Sequence, residues 1–327
     1  MRYVRPLLQM GPVRTPDAAP FGAGWFSHVE VLSRDAGPQV LSVRDIDPQV
    51  IKRFHSGTKR TDIMGILNVT PDSFSDGGAH DGVRSAVAHA AQMVADGATI
   101  IDVGGESTRP GAAPVAEDEE IRRTAPVIAA IRDAGITTPI SIDTRKASVA
   151  RAALDAGANI VNDVSGFTFD AELAPLCAER GVPVCVMHAQ GDPQTMQENP
   201  SYDNVLLDVY DFLHERIETL VSAGIPRTRI TADPGIGFGK TLEHNLALLN
   251  RISLFHGLGV PILLGASRKR FIGTLGNAPT PQARAPGSIG VALAAMAQGV
   301  QMLRVHDVAD HAQAIALWRA SVAHPEA

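Results

Sequence analysis

Thr99-Ile100-Ile101-Asp102-Val103 is five residues of almost unbroken apolar, β-branched character with one acid inside it. So short a run suits a strand buried on both faces, as in a parallel sheet covered by helices, better than a one-sided antiparallel strand. Seven similar runs stand along the chain: IMGIL (63–67), PISID (139–143), NIVND (159–163), VPVCVM (182–187), RITAD (229–233), PILLGA (261–266) and QMLRV (301–305). Helical patterns separate them. In NVLLDVYDFLHERIETLVSAG (204–224), Val205, Val209, Phe212, Leu213, Leu220 and Val221 fall at helical spacing, with Ser201 the expected N-cap and Gly224 the expected left-handed stop. A second helix is expected from about 116 to 134, where Glu117, Asp118, Glu119 and Glu120 crowd the positive N-terminal end. Gly97, Gly135, Gly157, Gly181 and Gly299 stand shortly before strands, as helix stops do.

Eight strand–helix units in about 265 residues match the count and size of an α/β fold of the (β/α)8 TIM-barrel type. An open doubly wound sheet shares the alternation but more often has about five or six strands. The barrel is expected over 59–327. Residues 1–58 read differently: a start rich in Pro and Gly (Pro12, Pro16, Pro20, Gly22, Gly24), then WFSHVEVLSR (25–34) and QVLSVRDI (39–46) across Asp35-Ala36-Gly37-Pro38. This predicts a β-hairpin extension, preceded by a leader without structure.

The chain has 327 residues, 45% hydrophobic and 20% charged, with a net charge of −6, which excludes a disordered chain. No apolar run is long enough to span a membrane, and no signal-peptide pattern opens the chain. The balance of 29 Lys+Arg against 35 Asp+Glu argues against a nucleic-acid surface. Two cysteines, Cys177 and Cys185, cannot form a disulfide scaffold and read as core residues in a reducing compartment, so a cytoplasmic location is expected.

In a barrel of this kind the chemistry lies where the strands end. The eight ends carry Asn68; Glu106-Ser107-Thr108-Arg109; Asp143; Asn162 and Asp163; His188; Asp233; Ser267-Arg268-Lys269; and Arg304 with His306. Any one of these could be a helix cap or a surface pair. Eight polar ends on apolar strands point instead to a bound polar ligand. Asp143, Asn162 and Asp233 suit the amino and ring N–H donors of a planar heterocycle, whereas Arg109, Lys269, Arg304 and His306, beside Gly77-Gly78 and Gly104-Gly105, suit a phosphate or diphosphate. Asn68 and Asp72 could give oxygens to Mg²⁺. Pro234-Gly235-Ile236-Gly237-Phe238-Gly239-Lys240-Thr241 fails as a P-loop because its first position is Pro, and His214-Glu215 lacks the second His of a zinc protease.

Read whole, the strand-end motifs resemble those of the dihydropteroate synthases. They are Ile66-Leu67-Asn68-Val69-Thr70-Pro71-Asp72-Ser73-Phe74-Ser75-Asp76-Gly77-Gly78, Asp102-Val103-Gly104-Gly105-Glu106-Ser107-Thr108-Arg109-Pro110-Gly111, Ser141-Ile142-Asp143-Thr144, Asn162-Asp163-Val164-Ser165-Gly166, Asp233-Pro234-Gly235-Ile236-Gly237-Phe238-Gly239-Lys240, Ser267-Arg268-Lys269 and Arg304-Val305-His306-Asp307. The resemblance spans about 62–321. It implies a TIM barrel that condenses 6-hydroxymethyl-7,8-dihydropterin diphosphate with para-aminobenzoate, by loss of diphosphate and attack of the arylamine. It further implies pterin contacts from Asp143, Asn162, Met187, Asp233 and Lys269, and diphosphate contacts from Asn68, Arg109, Arg304 and His306. Thr108, Pro110, Phe238, Lys269 and Arg270 are the implied para-aminobenzoate contacts, with Arg270 standing where some members carry Ser. Asp143, Lys269 and Arg304 are the implied catalytic residues and Asn68 the implied Mg²⁺ contact. The resemblance also implies a homodimer and sensitivity to sulfonamides. Two alternatives stay open: a folate-dependent corrinoid methyltransferase of the same barrel type, and a pterin-binding protein without activity.

Overall fold

A computed structural model describes residues 2–11, 14–54, 61–69, 78–107, 111–192 and 194–322. Its first layer is β1 (Tyr3–Pro6), β2 (Ala19–Phe21), β3 (Gly24–Phe26), β4 (His28–Leu32), β5 (Gln39–Ser42) and α1 (Pro48–Arg53). β4 and β5 pair antiparallel, as the hairpin pattern predicts, but over shorter spans. Residues 24–26 turn back on 19–21 instead of extending β4. Gly22 makes this turn at φ +56, a value costly for residues with a Cβ. The leader expected to lack structure holds β1, paired antiparallel with β4. Tertiary contacts hold it there, and four residues of mixed polarity do not announce them. Tyr3 Oη donates to Asp211 Oδ2 at 2.8 Å, and Arg5 reaches Glu30 at 2.8 Å and Ser253 at 2.9 Å. Phe21, Phe26, Val29, Val31 and Phe54 make a small core of their own.

The rest alternates strand and helix: β6 (Asp62–Asn68), α2 (Gly78–Ala95), β7 (Ile100–Gly104), α3 (Glu117–Asp133), β8 (Ile140–Asp143), α4 (Ala147–Asp155), β9 (Ile160–Asp163), α5 (Leu173–Arg180), β10 (Val184–Met187), α6 (Val205–Ser222), β11 (Ile230–Asp233), α7 (Leu242–Asn250), β12 (Leu263–Leu264), α8 (Arg270–Leu275), α9 (Ala285–Ala297), β13 (Met302–Val305) and α10 (Val308–Val322). Among the described residues the eight strands β6 to β13 form one parallel sheet, with β6 flanked by β7 and β13 and the ends at β11 and β12. A parallel bridge between Ala232 and Ile262, with Ala232 N donating to Pro261 O at 2.9 Å, joins those ends and closes the barrel. The seventh strand is much shorter than the run 261–266 suggests. Pro261 has no N–H for the ladder, and the chain turns toward the strand-end face from Gly265. The helix after β10 is capped by Asn204, whose Oδ1 accepts from Leu207 N at 3.3 Å, and not by Ser201. Gly224 stops it at φ +101.

Strand side chains alternate between two faces. Ile63, Ile101, Val161, Val186, Ala232 and Leu303 join the large core under the helices. Their neighbours Met64, Ile100, Cys185 and Leu263 form a separate buried cluster, which fills the barrel interior. Cys177 and Cys185 are both buried free thiols. The inward alternation, continued toward the strand ends, runs through Asn68, Asp102, Asp143, Asn162, Met187, Asp233, Arg304 and His306. An apolar plug therefore carries a polar layer on top. Among the described residues no helix is long and apolar enough to cross a membrane.

Candidate active site

The inward alternation leads to a cavity of about 730 Å³ at the strand ends, whose lining includes Asn68, Asp143, Phe238, Lys269, Arg270, Arg304 and His306. Seven of the residues expected from sequence thus share one concave surface. Asn162, Met187 and Asp233 are buried at neighbouring strand ends, in register with Asp143 or with one another, and do not line it. Thr108, Arg109, Pro110 and Asp72 lie outside the described residues.

Arg304 sits between two acids. Its Nε donates to Asp102 Oδ2 at 2.6 Å and its Nη2 to Asp143 Oδ2 at 2.7 Å. Asn162 Nδ2 also reaches Asp102 Oδ2, at 3.4 Å. Asp102 is completely buried, and among the described residues neither its Oδ1 nor the Oδ1 of Asp143, both buried, finds a hydrogen bond. Burial pushes the Asp143 carboxyl well above the usual carboxylate range, with Arg304 opposing and Asp102 reinforcing the shift. Burial opposes the charge on Arg304, but Asp102 and Asp143 outweigh it and hold the guanidinium firmly protonated. Two carboxylates on one guanidinium leave acceptor capacity facing inward, which donors on a heterocycle could use.

Across the barrel, burial pushes Asp233 up to about 6, against the Gly235 N–H it accepts at 2.7 Å and the charges of Lys269 and Lys240. Lys269 Nζ lies 3.9 Å from the centre of the Phe238 ring, a cation–π contact that presents the charge and an aromatic wall together. Ser267 Oγ is 3.0 Å from His306 Nδ1 and accepts from His306 N at 3.1 Å, which joins the ends of β12 and β13. Arg268 has a different task. It is paired bidentately with Asp307, and Arg284 Nη1 donates to its carbonyl at 3.1 Å, so it fixes the turn before α8. Asp163 points outward and accepts from Ser165 N at 2.6 Å and Phe167 N at 2.7 Å, a local turn and not a ligand contact.

Residues to which the sequence assigned no ligand also belong to this face. Asp102 could have been found by counting in twos back from Gly104, which pairs with Asn68 on the neighbouring β6. Lys240, inside the sequence that fails as a P-loop, is buried with Nζ 2.8 Å from His188 Nδ1 and 2.9 Å from Phe238 O. Burial brings Lys240 down to about 7 and, with the Lys240 charge beside it, holds His188 well below 6.5. Glu106 accepts from Val115 N at 2.8 Å, and Lys146 donates to Val115 O at 2.7 Å and to the fully buried Glu120 at 2.6 Å. Glu106 and Lys146 therefore grip one residue of the β7–α3 connection from both sides. Nothing in the spacing of Glu106, Glu120 and Lys146 announces that they meet.

Comparison with known proteins agrees with this geometry. The profile of the pterin binding enzyme family matches residues 64–306. The dihydropteroate synthase of Escherichia coli (strain K12) is 46% identical over 280 residues, covering 84% of this chain and 98% of that one. The barrel is similar to a Xanthomonas albilineans dihydropteroate synthase solved with 4-aminobenzoic acid, at a TM-score of 0.76 and 45% identity over 81% of this chain and 94% of that one. It is equally similar to the Clostridium difficile dihydropteroate synthase solved in the presence of pteroic acid, with a TM-score of 0.77 and 43% identity over 82% and 99% of the two chains. A motif-bearing barrel, its polar strand-end layer and these likenesses converge: the chain belongs to the dihydropteroate synthase family of pterin-binding enzymes.

Proposed function

We propose that the chain is a transferase that condenses 6-hydroxymethyl-7,8-dihydropterin diphosphate with para-aminobenzoate to give 7,8-dihydropteroate and diphosphate, in folate synthesis. The observation that carries this reading is the Asp102–Arg304–Asp143 triad on the wall of a cavity that also presents Lys269 over Phe238. Acceptors and cations on one surface suit a substrate that is a donor-rich ring at one end and an anion at the other.

In this reading Asp143, Asn162, Met187, Asp233 and Lys269 hold the pterin, while Asn68, Arg109, Arg304 and His306 hold the diphosphate. Thr108, Pro110, Phe238, Lys269 and Arg270 form the arylamine side, with the Arg270 guanidinium facing the benzoate carboxylate. The bond from the exocyclic methylene to diphosphate breaks, and its electron pair leaves with the diphosphate. Asp143 stabilises the positive charge left on the pterin, and Arg304 and His306 stabilise the negative charge that departs. The arylamine nitrogen then bonds to the methylene carbon, and its surplus proton passes to an oxygen of the released diphosphate. Asn68 ends β6 exposed at the cavity, an oxygen donor that fits Mg²⁺, which takes few protein ligands and completes its shell with water and phosphate. Bound there, Mg²⁺ would supply charge neutralisation to the leaving diphosphate.

We take residues 1–58 to be an extension packed on a pterin-binding barrel of residues 59–327, and the protein to act in the cytoplasm as a homodimer. The dimer reading is supported by α9, whose small residues Gly290, Ala294 and Ala297 permit close helix approach, and by Leu317, 67% exposed on the adjoining α10. Light scattering during gel filtration tests it, and a monomeric mass refutes it.

The decisive assay incubates the protein with the pterin diphosphate, para-aminobenzoate and Mg²⁺, and follows dihydropteroate and diphosphate together. Equal amounts of both are expected. Pterin binding without product would favour a non-catalytic binder, and methyl transfer from a methylated folate to a corrinoid would favour the methyltransferase alternative.

A further inference from the structure

The turn after β11 that carries Phe238 has a geometry it does not choose by itself. Gly235, Gly237 and Gly239 stand at φ +70, +83 and +61, a region residues with a Cβ avoid. A Cβ on Gly235 would lie 1.8 Å from His188 O, and one on Gly239 would lie 2.4 Å from Gln190 O, so the turn is pressed against the segment that follows β10. Three successive carbonyls of the turn are each held by a side chain. Gly237 O accepts from Gln197 Nε2 at 2.7 Å, Phe238 O from Lys240 Nζ at 2.9 Å, and Gly239 O from Tyr202 Oη at 2.7 Å. Gly237 N donates to Asn245 Oδ1 at 2.7 Å.

Two of these holders, Gln197 and Tyr202, belong to the β10–α6 connection, which supplies none of the residues assigned above to a substrate. A backbone with three glycines in the left-handed region has much freedom to lose, and water would satisfy its carbonyls equally well when the turn moved. Bonds to fixed side chains select one arrangement, the one in which the Phe238 ring lies against Lys269 at the cavity.

We propose that Gln197 and Tyr202, together with Lys240, are positioning residues that set the Phe238 wall and thereby the fit of the arylamine substrate. The inference rests on the reading of Phe238 as part of the para-aminobenzoate side. Neither side chain is asked to touch a reacting atom, so the signature is a split between the two substrates. Gln197→Leu and Tyr202→Phe each remove one donor while keeping bulk, and each is expected to raise KM for para-aminobenzoate about threefold to tenfold. KM for the pterin diphosphate should stay within about twofold, since of the groups assigned to it only Asp233 and Lys269 adjoin this turn, Asp233 being tied to Gly235 N ahead of the held carbonyls, and the others lie on other strand ends. Gln197→Lys retains a donor and should restore most of the arylamine affinity.

Steady-state kinetics with each substrate varied, alongside thermal melting, make the test. Unchanged KM for para-aminobenzoate in both variants, or equal rises in both KM values, overturns the proposal. If Tyr202→Phe fails to fold, Gln197→Leu, altered at an exposed side chain, decides alone. Wild-type protein that makes no dihydropteroate removes the functional reading and this inference with it. Active wild type with unaltered variants removes this inference alone.

Discussion

Asp233 offers a titration whose outcome follows from its position. It ends β11 at 5% exposure, and burial pushes its carboxyl from 3.8 up to about 6, against one backbone N–H and the charges of Lys269 and Lys240. If it accepts hydrogen bonds from the pterin ring it must be ionised, so affinity falls as pH drops through about 6. Each unit below that costs about 1.4 kcal/mol, or about tenfold in Kd. The ligand to use is 6-hydroxymethyl-7,8-dihydropterin, which has no diphosphate to titrate. In the Asp143→Asn background, which removes the second raised carboxyl, calorimetry should find Kd at about pH 5 weaker by about tenfold than the plateau near pH 7. A carboxyl left at 3.8 would stay ionised throughout and give a flat profile. Asp233→Asn should bind weakly and lose this limb. Asp143 is also raised by burial, so Asp143→Asn should keep the Asp233 limb, and the double variant should lose all dependence. A wild-type Kd constant from about pH 5 to about pH 7, or a limb that survives unchanged in Asp233→Asn, refutes the reasoning.

Asp143→Asn should fold, melt close to wild type and lose about 100-fold or more in turnover, because the carboxylate that faces the developing cation is gone while the shape remains. Unimpaired turnover removes its electrostatic role. Arg270→Ala should raise KM for para-aminobenzoate by about tenfold or more and leave KM for the pterin diphosphate unchanged, as loss of a charge-assisted contact to the benzoate carboxylate requires. Equal effects on both substrates would place Arg270 elsewhere. Lys146→Met strands the buried Glu120 without its cation, while Glu106 keeps Arg145 at 3.2 Å, and should lower stability by about 3–5 kcal/mol in urea unfolding. An unchanged midpoint would mean that Glu120, already raised by burial against the pull of Lys146, simply takes up a proton.

The barrel was readable because its determinants are local and repetitive. Runs such as Thr99–Val103 and Asn159–Asp163 are short and β-branched, and the observed strands begin within one residue of each predicted start except at VPVCVM and PILLGA, where they begin two residues later. There Pro183 and Pro261 supply no N–H to the ladder. The extension was less legible. β1 exists through Tyr3, whose ring meets Tyr210 edge-on at 5.3 Å, and through Arg5, whose partners Glu30 and Ser253 are far off in sequence. No periodicity encodes such contacts. The site divides in the same manner: strand-end residues follow from the alternation, whereas Gln197, Tyr202 and the Glu106–Lys146 grip depend on how loops meet.

Arg304 shows why the geometry adds to a motif. In sequence it reads as a ligand for diphosphate alone, yet two of its N–H groups are already committed to Asp102 and Asp143. The guanidinium has donors beyond those two, and Arg304 lines the cavity, so it can serve an anion without releasing either acid. In the proposed reaction a neutral bond separates into a cation on the pterin side and an anion on the leaving side. Asp143 and Arg304 form a pair only 2.7 Å apart with the complementary signs. An ion pair fixed before the substrate arrives needs little reorganisation when those charges develop, which is the condition under which electrostatic stabilisation is largest. Asp102 makes that arrangement possible. Completely buried and bonded to the same guanidinium, it fixes the orientation of Arg304, and its negative charge raises the proton affinity of Asp143 until donors on the ring engage both acids.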